Sequence, residues 1–377
     1  MDAVTKTVNP VEAARSAVIK VGSALLVDTE TGQLRADWLA GLASDIAAMR
    51  ARGTRVAVVS SGAIALGRAV LGLSGDMALE EAQAAAAVGQ QRLARAWEQA
   101  LSAHNLTAAQ VLLTLADTQN RRRYLNGRAT LATLHRFGTV PVVNENDTVA
   151  TDEIRYGDND RLAARVALMA DADLLVLLSD VDGVYSANPK RDAKARHLAE
   201  ITEITPEIEG IAGASLNAAA KGGMRTKILA AKTAMQGGCT MAVTLGSVQN
   251  PLDALRRGAR ATWFPAAASP AAARKNWIAG MKPLGTLVID DGAAAALRSG
   301  KSLLPAGVAR VEGVFERGDP VAIETATGLA VGAALAGYKA AEARVIAGQK
   351  SGQIAGLLGY SGRAAIAHRD DMVIWGS

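Results

Sequence analysis

The chain has 377 residues, of which 50% are hydrophobic and 20% charged, and this predicts a globular protein of about two or three domains. Its net charge of +5 is scattered without a long Lys/Arg tract, so a primary nucleic-acid role is not expected. One cysteine excludes an intrachain disulfide framework, and four dispersed histidines match no zinc-ligand spacing. No signal-peptide core and no membrane-length apolar stretch is seen, which predicts a cytoplasmic protein without a membrane span.

The first predicted elements follow an expected flexible leader over residues 1–15. An apolar strand is predicted at 17–21, AVIKV, with Lys20 near its carboxyl end. A lysine is costly within a buried strand, but at the carboxyl end of a parallel strand it can reach the crevice where ligands bind. We therefore predict that Lys20 is functional, the alternative being a side chain that extends to solvent.

A helix and a second strand complete the first βαβ unit. Apolar residues recur at steps of three and four between residues 36 and 52, which predicts the helix, and the apolar run at 55–60 predicts a buried strand. This strand ends in Ser60, Ser61 and Gly62, where the glycine lets a ligand approach the backbone and the next helix presents N–H groups to an anion. A plain tight turn is the alternative.

Helices and strands continue to alternate up to residue 143. The predicted segments are a helix over 79–103, a strand over 109–114, a helix over about 124–137 and a strand over 139–143. Pro141 lies inside the last strand. Because proline lacks the N–H that an interior strand donates, we expect an edge position or a bulge there.

The polar segment from Val143 to Asp160, VNENDTVATDEIRYGDND, joins that strand to a predicted helix. It concentrates carboxylates and amides, with Arg155 as the only nearby cation. Such a group can hold the ammonium of an amino acid or orient lysines, and loops in this position usually carry function. The alternative is that Asn and Asp occur here because they favour turns and helix N-caps.

The most continuous buried strand is predicted at 173–180, and a turn-rich loop follows its carboxyl end, where open sheets bind ligands. At 221–227 the sequence KGGMRTK precedes a helix running to about residue 236, and its glycines and cations suit a phosphate, although paired glycines also mark simple turns. Neither a Walker motif nor a strand-linked GxGxxG is present. The alternation predicts a mostly parallel sheet with helices on both faces.

The composition changes near residues 261–270, where the stretch FPAAASPAAARKN begins, and this indicates a linker. Beyond it the predicted strands are short and separated by glycines and charged turns, at 285–290, 308–314, 320–325 and 364–367. This pattern predicts a small, mainly β second domain.

Seven motifs together resemble the glutamate 5-kinase family over nearly the full chain: VIKVGS, VVSSGAIALG, VPVVNENDTVAT, GDND, LLSDVDGVYSANP, GGMRTK, and LLGY with AHRDDMV. The resemblance implies a three-layer αβα amino acid kinase domain at 16–264, a linker at 265–276 and a C-terminal PUA domain at 277–377. It also implies ATP-dependent phosphorylation of the γ-carboxylate of L-glutamate, the first step of proline biosynthesis, with ATP and Mg²⁺ as cofactors.

The resemblance assigns roles to individual residues. The catalytic set is Lys20 and Lys227, which hold the phosphates, and Asp160, which orients both lysines. The glutamate-binding set is Ser61, Gly62, Asp147 and Asn159. The nucleotide-binding set is Lys20, Ser179, Asp180, Lys221, Gly222, Gly223, Met224, Arg225, Thr226 and Lys227, and no protein metal ligand is assigned.

The chain departs from the family pattern at two places. Ala220 and Lys221 stand where the family usually has Gly-Thr, and Ser179 stands where threonine is common. The first change puts the conformation of the nucleotide loop in question, whereas the second keeps the hydroxyl. We expect activity to survive both, since the three catalytic positions are retained.

The family also implies partners. L-glutamate and ATP are the expected substrates, L-proline the expected feedback inhibitor acting at the polar loop, and a homodimer or homotetramer the expected assembly. The nearest alternatives are amino acid kinases that act on N-acetylglutamate or aspartate. An RNA-binding PUA protein is a more distant alternative, because the second domain has few aromatic residues and no basic stripe.

Overall fold

The computed structural model describes residues 9–150, 159–189, 192–213 and 223–375. The chain divides into two compact units, Met1–Gln119 with Asn126–Pro270 and Asn120–Leu125 with Ala271–Ser377. The division at residue 270 falls inside the expected linker at 265–276, and Pro270 begins a helix. In the described part of the chain, no helix is long and apolar enough to span a membrane.

The strands of the first unit occur throughout its length. They are β1 (Ser16–Val21), β2 (Arg55–Ser60), β3 (Ala108–Leu113), β4 (Val140–Glu145), β5 (Leu174–Ser179), β6 (Val184–Tyr185), β7 (His197–Leu198), β8 (Thr240–Leu245) and β9 (Ala261–Phe264). Strands β6 and β7 form a separate two-stranded ribbon.

Helices separate most of these strands. Up to residue 256 they are α1 (Pro10–Ala13), α2 (Ser23–Leu26), α3 (Ala36–Ala51), α4 (Ala63–Leu71), α5 (Leu79–Ser102), α6 (Leu115–Gln119), α7 (Arg121–Arg136), α8 (Asn159–Met169), α9 (Pro206–Gly213), α10 (Met224–Gln236) and α11 (Pro251–Arg256). The helices after residue 264 are α12 (Pro270–Ala279), α13 (Asp291–Arg298), α14 (Ala340–Ile346) and α15 (Ile354–Leu358).

The main sheet of the first unit has the strand order β3-β4-β2-β1-β5-β8-β9. Neighbouring strands are parallel except β8 with β9, and this confirms the predicted mostly parallel αβα fold. The chain places β2 on one side of β1 and β5 on the other, so the strand order reverses between β1 and β5. Ligands bind at such a reversal, outside the carboxyl ends of the strands, and Lys20 lies at that end of β1.

The core of this unit is mostly aliphatic, and Trp97 is its largest fully buried side chain. All residues of β4 and β5 are buried, and the predicted apolar stripe of α3 packs inward, with Leu39, Leu42, Ile46 and Met49 each no more than 1% exposed. Burying a side chain of this size contributes about 1.5–3 kcal/mol. The packed layers therefore hold the strand ends in fixed positions.

Pro141 corrects one prediction. Its strand, β4, lies between β3 and β2, so it is neither an edge strand nor bulged at this residue. The N–H of Val140 donates to Thr107 at the β3 side, and alternate N–H groups of a strand face opposite neighbours. The missing N–H of Pro141 therefore faces β2, whose pairing with β4 begins only at Val142.

The expected flexible leader is corrected over residues 9–15. The side chain of Asn9 accepts a hydrogen bond of 2.9 Å from the N–H of Val11 and caps α1, whose N1 residue is Pro10. Val11 is 1% exposed and belongs to the core of the first unit. Residues 1–8 lie outside the described residues.

The second unit contains a five-stranded sheet in the order β11-β10-β12-β13-β14, formed by β10 (Gly285–Ile289), β11 (Val308–Gly313), β12 (Pro320–Thr325), β13 (Ala330–Leu335) and β14 (Met372–Ile374). The first three strands were predicted. The strand predicted at 364–367 is wrong, since within it Ala367 makes only an isolated bridge with Leu303. Strand β13, AVGAAL, was missed because alanine and glycine carry little strand propensity.

Candidate active site

Two lysines converge on one buried carboxylate at the reversal point of the sheet. Lys20 is near the end of β1, Asp160 is in the first turn of α8, and Lys227 is in the first turn of α10. The Nζ of Lys20 lies 2.6 Å from Asp160 Oδ1, and the Nζ of Lys227 lies 3.2 Å from Asp160 Oδ2. Each carboxylate oxygen therefore holds a different ammonium group.

This lysine pair is unusually enclosed. The side chains of Lys20, Asp160 and Lys227 are 12%, 2% and 7% exposed, whereas lysines and aspartates are seldom buried unless paired. Two positive charges and one negative charge leave a net charge of +1 in the cluster. A buried cation of this kind attracts a ligand with more negative charge, such as a polyphosphate.

Asp160 is ionised throughout the neutral range. Burial is the largest single influence and opposes ionisation, but the charges of Lys20 and Lys227 and the hydrogen bonds from Lys20 and Thr226 outweigh it and lower the pKa to about 2. The hydroxyl of Thr226 donates to Asp160 Oδ2 at 2.9 Å. A residue predicted only as part of the nucleotide loop thus also orients the aspartate.

The start of α10 lies beside this cluster. The helix follows Gly223, which has no side chain to cap it, and Met224 and Arg225 are its first residues, with Arg225 exposed. Uncapped N–H groups at a helix N-terminus favour an anion. Of the predicted nucleotide loop, Lys221 and Gly222 lie outside the described residues.

A second cluster consists of amides and one hydroxyl. Asn159 Nδ2 donates to Ser61 Oγ at 2.6 Å and to Asn144 Oδ1 at 3.2 Å. Asn144 Nδ2 in turn donates to Gln90 Oε1 at 2.8 Å. Gly62, at the start of α4, has φ of +116°, a conformation that favours glycine and turns the chain sharply behind Ser61.

The two clusters meet in α8, because Asn159 and Asp160 are consecutive residues of its first turn. The structure therefore brings together Lys20, Asp160, Thr226 and Lys227 in one group and Ser61 with Asn159 in an adjoining one. Asp160 and both lysines come from elements far apart in the chain, and Lys227 is 67 residues from Asp160.

Asp147 lies in the turn after β4, three residues beyond Asn144. It is half-buried, and burial raises the pKa of its carboxyl to about 6. The turn is fixed by the carbonyl of Asn146, which accepts from the N–H groups of Val149 and Ala150 at 3.1 Å. A carboxylate with a raised pKa is a common feature of functional sites.

Ser179 and Asp180 stand at the carboxyl end of β5, next to β1 in the sheet. The hydroxyl of Ser179 donates to Asp180 Oδ1 at 3.0 Å. Ser179 is buried and Asp180 is exposed, so the pair extends from the sheet edge into solvent. This location agrees with the end of the sheet at which Lys20 lies.

Two contributors to the site were not singled out from the sequence. Asn144 belongs to the polar segment but carried no separate signal, and Gln90 is one glutamine in an Ala-rich helix. The signal that could have indicated Gln90 is its position next to Gly89, because Gly89 is buried against α4.

Comparison with known proteins gives concordant results. Residues 15–244 match the model of the amino acid kinase family, and residues 285–358 match that of the PUA domain. A glutamate 5-kinase from Dinoroseobacter shibae is 61% identical over 96% of this chain and 99% of its own length. Another, from Jannaschia sp., is 63% identical over 96% and 98%, respectively.

A weaker likeness relates 67% of this chain to 98% of a UMP kinase from Ureaplasma parvum, at 17% identity and a TM-score of 0.47, and it adds nothing to the assignment. The two glutamate 5-kinases align with both units of this chain at 61% and 63% identity, and this similarity identifies the family. The chain belongs to the glutamate 5-kinases, within the amino acid kinase family.

Proposed function

We propose that this protein transfers the γ-phosphoryl group of ATP to the γ-carboxylate of L-glutamate, giving L-glutamyl 5-phosphate and ADP. A carboxylate oxygen forms the new bond to phosphorus, and the bond from phosphorus to the β,γ-bridging oxygen breaks. The observation that carries the proposal is the buried pair of lysines on Asp160, within a chain whose relatives at about 60% identity are named glutamate 5-kinase. This reaction supplies the first step of proline biosynthesis.

The lysines stabilise charge rather than perform covalent chemistry. Phosphoryl transfer depends on positioning and on neutralising the charge spread over the transferring group. Lys20 and Lys227, oriented by opposite oxygens of Asp160, are proposed to direct their positive charges at the phosphate oxygens. Because the γ-carboxylate of glutamate is ionised at neutral pH, no general base has to remove a proton from it.

Glutamate is proposed to bind beside the amide cluster. Asp147 supplies a negative charge for its α-ammonium group, and Ser61, Gly62 and Asn159 supply polar side-chain and backbone groups. The nucleotide is proposed to lie against Ser179, Asp180 and residues 221–227. The start of α10 after Gly223 and the positive charges of Lys20 and Lys227 support this assignment.

Mg²⁺ is proposed to enter with the nucleotide. In the described residues, no group of three or more His, Cys, Asp or Glu side chains could hold a metal ion, and the carboxylate of Asp160 is already occupied by two lysines. Mg²⁺ usually keeps several waters and binds through substrate phosphates with few protein carboxylates. The ion would therefore be held chiefly by ATP, where it neutralises phosphate charge.

L-proline is proposed as a feedback inhibitor that competes for the groups that hold the ammonium and α-carboxylate of glutamate. Inhibition that weakens as glutamate is raised supports this, and activity insensitive to proline refutes it. A homodimer or homotetramer in the cytoplasm, where ATP and glutamate are supplied, completes the proposal. RNA is not proposed as a partner.

Trapping with hydroxylamine tests the reaction directly, since an acyl phosphate reacts to give a coloured hydroxamate. The protein is incubated with Mg-ATP and, in parallel, L-glutamate, N-acetyl-L-glutamate or L-aspartate, while ADP release is followed. Hydroxamate and ADP in equal amounts with glutamate alone are expected. Hydroxamate formed only with another acid would overturn the substrate assignment, and no hydroxamate with any acid would overturn the reaction.

A further inference from the structure

Gln90, on the long helix α5, is the outer end of a hydrogen-bonded series that reaches the proposed glutamate site. Its Oε1 accepts from Asn144 Nδ2 at 2.8 Å, Asn144 Oδ1 accepts from Asn159 Nδ2 at 3.2 Å, and that same Nδ2 donates to Ser61 Oγ at 2.6 Å. Asn144 and Asn159 are only 2% and 7% exposed. We name these four residues the amide relay.

The direction of each hydrogen bond in the amide relay depends on which atom of the Gln90 carboxamide faces Asn144. Gln90 presents an oxygen to Asn144, so the nitrogen of Asn144 faces Gln90 and its oxygen faces Asn159. Asn159 then uses both hydrogens of its Nδ2, one on Asn144 and one on Ser61. With its nitrogen fully engaged, Asn159 cannot rotate its amide without losing one buried and one partly buried hydrogen bond.

This orientation of the Asn159 amide determines which of its atoms a ligand can meet. Asn159 Oδ1 is buried and has no hydrogen-bond partner among the described residues. A buried acceptor without a partner is costly unless a donor reaches it. The ammonium of an amino acid is such a donor, so the polarity of the amide relay decides whether an acceptor or a donor faces it.

Helix α5 holds Gln90 and a second glutamine against the polar segment that follows β4. Besides Gln90, its Gln83 donates from Nε2 to the carbonyl of Ala150 at 3.1 Å, so two glutamines seven residues apart, on one helix face, hold both ends of the segment 144–150. The helix is itself locked against α4, because a Cβ at Gly89 would overlap the carbonyl oxygen of Ala63. Gln90 is therefore anchored on a rigid element beside the start of α4.

We propose that Gln90 is a positioning residue for the glutamate substrate: its carboxamide oxygen fixes the amide orientations of Asn144 and Asn159 so that Asn159 presents an acceptor to the substrate ammonium. The inference rests on the proposed function for the identity of the ligand. It assigns Gln90 no contact with ATP or the transferring phosphoryl group. Its effect therefore belongs to glutamate binding rather than to turnover.

Three variants of the full-length protein test this. Gln90→Met keeps the length of the side chain and removes the acceptor. Gln90→Glu keeps an acceptor and, when ionised, cannot donate. Gln91→Met is the matched control, because Gln91 is the next residue of the same helix and is exposed.

The expected result separates glutamate affinity from the other parameters. For Gln90→Met, KM for glutamate rises about tenfold, as for loss of one hydrogen bond that leaves the amide of buried Asn144 without its acceptor, while kcat and KM for ATP change less than twofold. For Gln90→Glu, KM for glutamate stays within about threefold of wild type, and Gln91→Met matches wild type. The Kd for glutamate from calorimetry, with ATP absent, follows the same order.

Three results for these variants overturn the proposal. If Gln90→Glu binds glutamate as poorly as Gln90→Met, then Gln90 donates to Asn144 and the polarity of the amide relay is the reverse. If Gln90→Met leaves glutamate affinity unchanged, or lowers Tm, kcat and both affinities together, Gln90 has no specific positioning role.

Failure of the proposed function is visible separately in the wild-type protein. If hydroxylamine trapping shows that wild type prefers another acid, the proposed function fails, and the same three variants are compared with that acid. If wild type has no kinase activity, the calorimetric Kd for glutamate still distinguishes Gln90→Met from Gln90→Glu. Absence of measurable binding of any of the three acids to wild type overturns both proposals.

Discussion

Replacing Asp160 by Asn tests the centre of the proposed mechanism while keeping the side-chain shape. The carboxylate contacts Lys20 at 2.6 Å and Lys227 at 3.2 Å and is 2% exposed. The variant changes the cluster from a net charge of +1 to +2, and one amide oxygen replaces two charged ones. The two ammonium groups then repel each other without the group that directs them.

The size of the effect follows from burial. Removing one partner of a buried ion pair costs about 3–5 kcal/mol because the other charge loses its compensating group. Loss of a preorganised electrostatic group at the transferring atoms lowers kcat by about 10²–10³-fold, or roughly 3–4 kcal/mol. We expect kcat to fall by that factor, and Tm to fall without ATP and recover in part with ATP, whose phosphates restore negative charge.

Hydroxamate formation measures kcat, and thermal unfolding with and without ATP measures stability. Glu209→Gln is the matched control, because Glu209 pairs at 2.8 Å with Lys232 of the same helix as Lys227, but both side chains are nearly half exposed. That change should cost less than about 1 kcal/mol and leave kcat unaltered. A kcat within about threefold of wild type for Asp160→Asn, in a folded protein, would refute a catalytic role for the aspartate.

Three further predictions concern pH and packing. Burial raises the pKa of Asp147 to about 6, so KM for glutamate should rise about tenfold between pH 7 and pH 5 as the carboxylate takes up a proton. The variant Asp147→Asn should remove this pH dependence. A KM that does not change with pH in the wild-type protein would argue against an ammonium contact. Burial, with smaller effects of two nearby arginines, lowers the pKa of His135 to about 4. Between that value and the unfolded pKa the native state binds fewer protons than the unfolded state. Roughly 3 kcal/mol of stability should therefore be lost as the pH falls from about 6.5 to 4. Denaturant unfolding of His135→Leu across that range should show a weaker dependence, and an equal dependence would exclude His135 as its source. Gly67→Ala should cost about 1–3 kcal/mol, because its Cβ would overlap the carbonyl oxygen of Ala85; calorimetric unfolding checks this, and an unchanged Tm would mean that α4 and α5 separate freely.

Local chemistry explains why some of the site could be predicted from the residues alone. Lys20 was indicated by its own sequence context, since a charge in an apolar strand needs a partner. The pairing of that lysine with Asp160 and Lys227 could not be obtained in the same way, because it depends on β1 lying beside β5 and on α8 packing against α10. Only the family resemblance joined the three residues before the fold was known.

Tertiary context also explains the failures. Pro141 occupies an interior strand because its missing N–H falls where β2 does not yet pair with β4, and this depends on register, which local sequence does not specify. Gln90 resembles any solvated glutamine of a helix until the close crossing of α4 and α5 places it against Asn144. In both cases the outcome depends on how two backbone segments that are distant in the sequence pack together.

The first turn of α8 shows why substrate binding and phosphoryl transfer are separable at the level of side chains. Consecutive helix residues are rotated by about 100°, so Asn159 points to Ser61 and Asn144 while Asp160 points to the two lysines. A substitution in the amide relay therefore alters glutamate affinity and leaves the lysines in place, whereas Asp160→Asn acts chiefly on turnover. A displacement of the whole helix would instead move both groups together. The distinction between a KM effect at Gln90 and a kcat effect at Asp160 thus depends on α8 remaining fixed, which its contacts with β1, β5 and α10 favour.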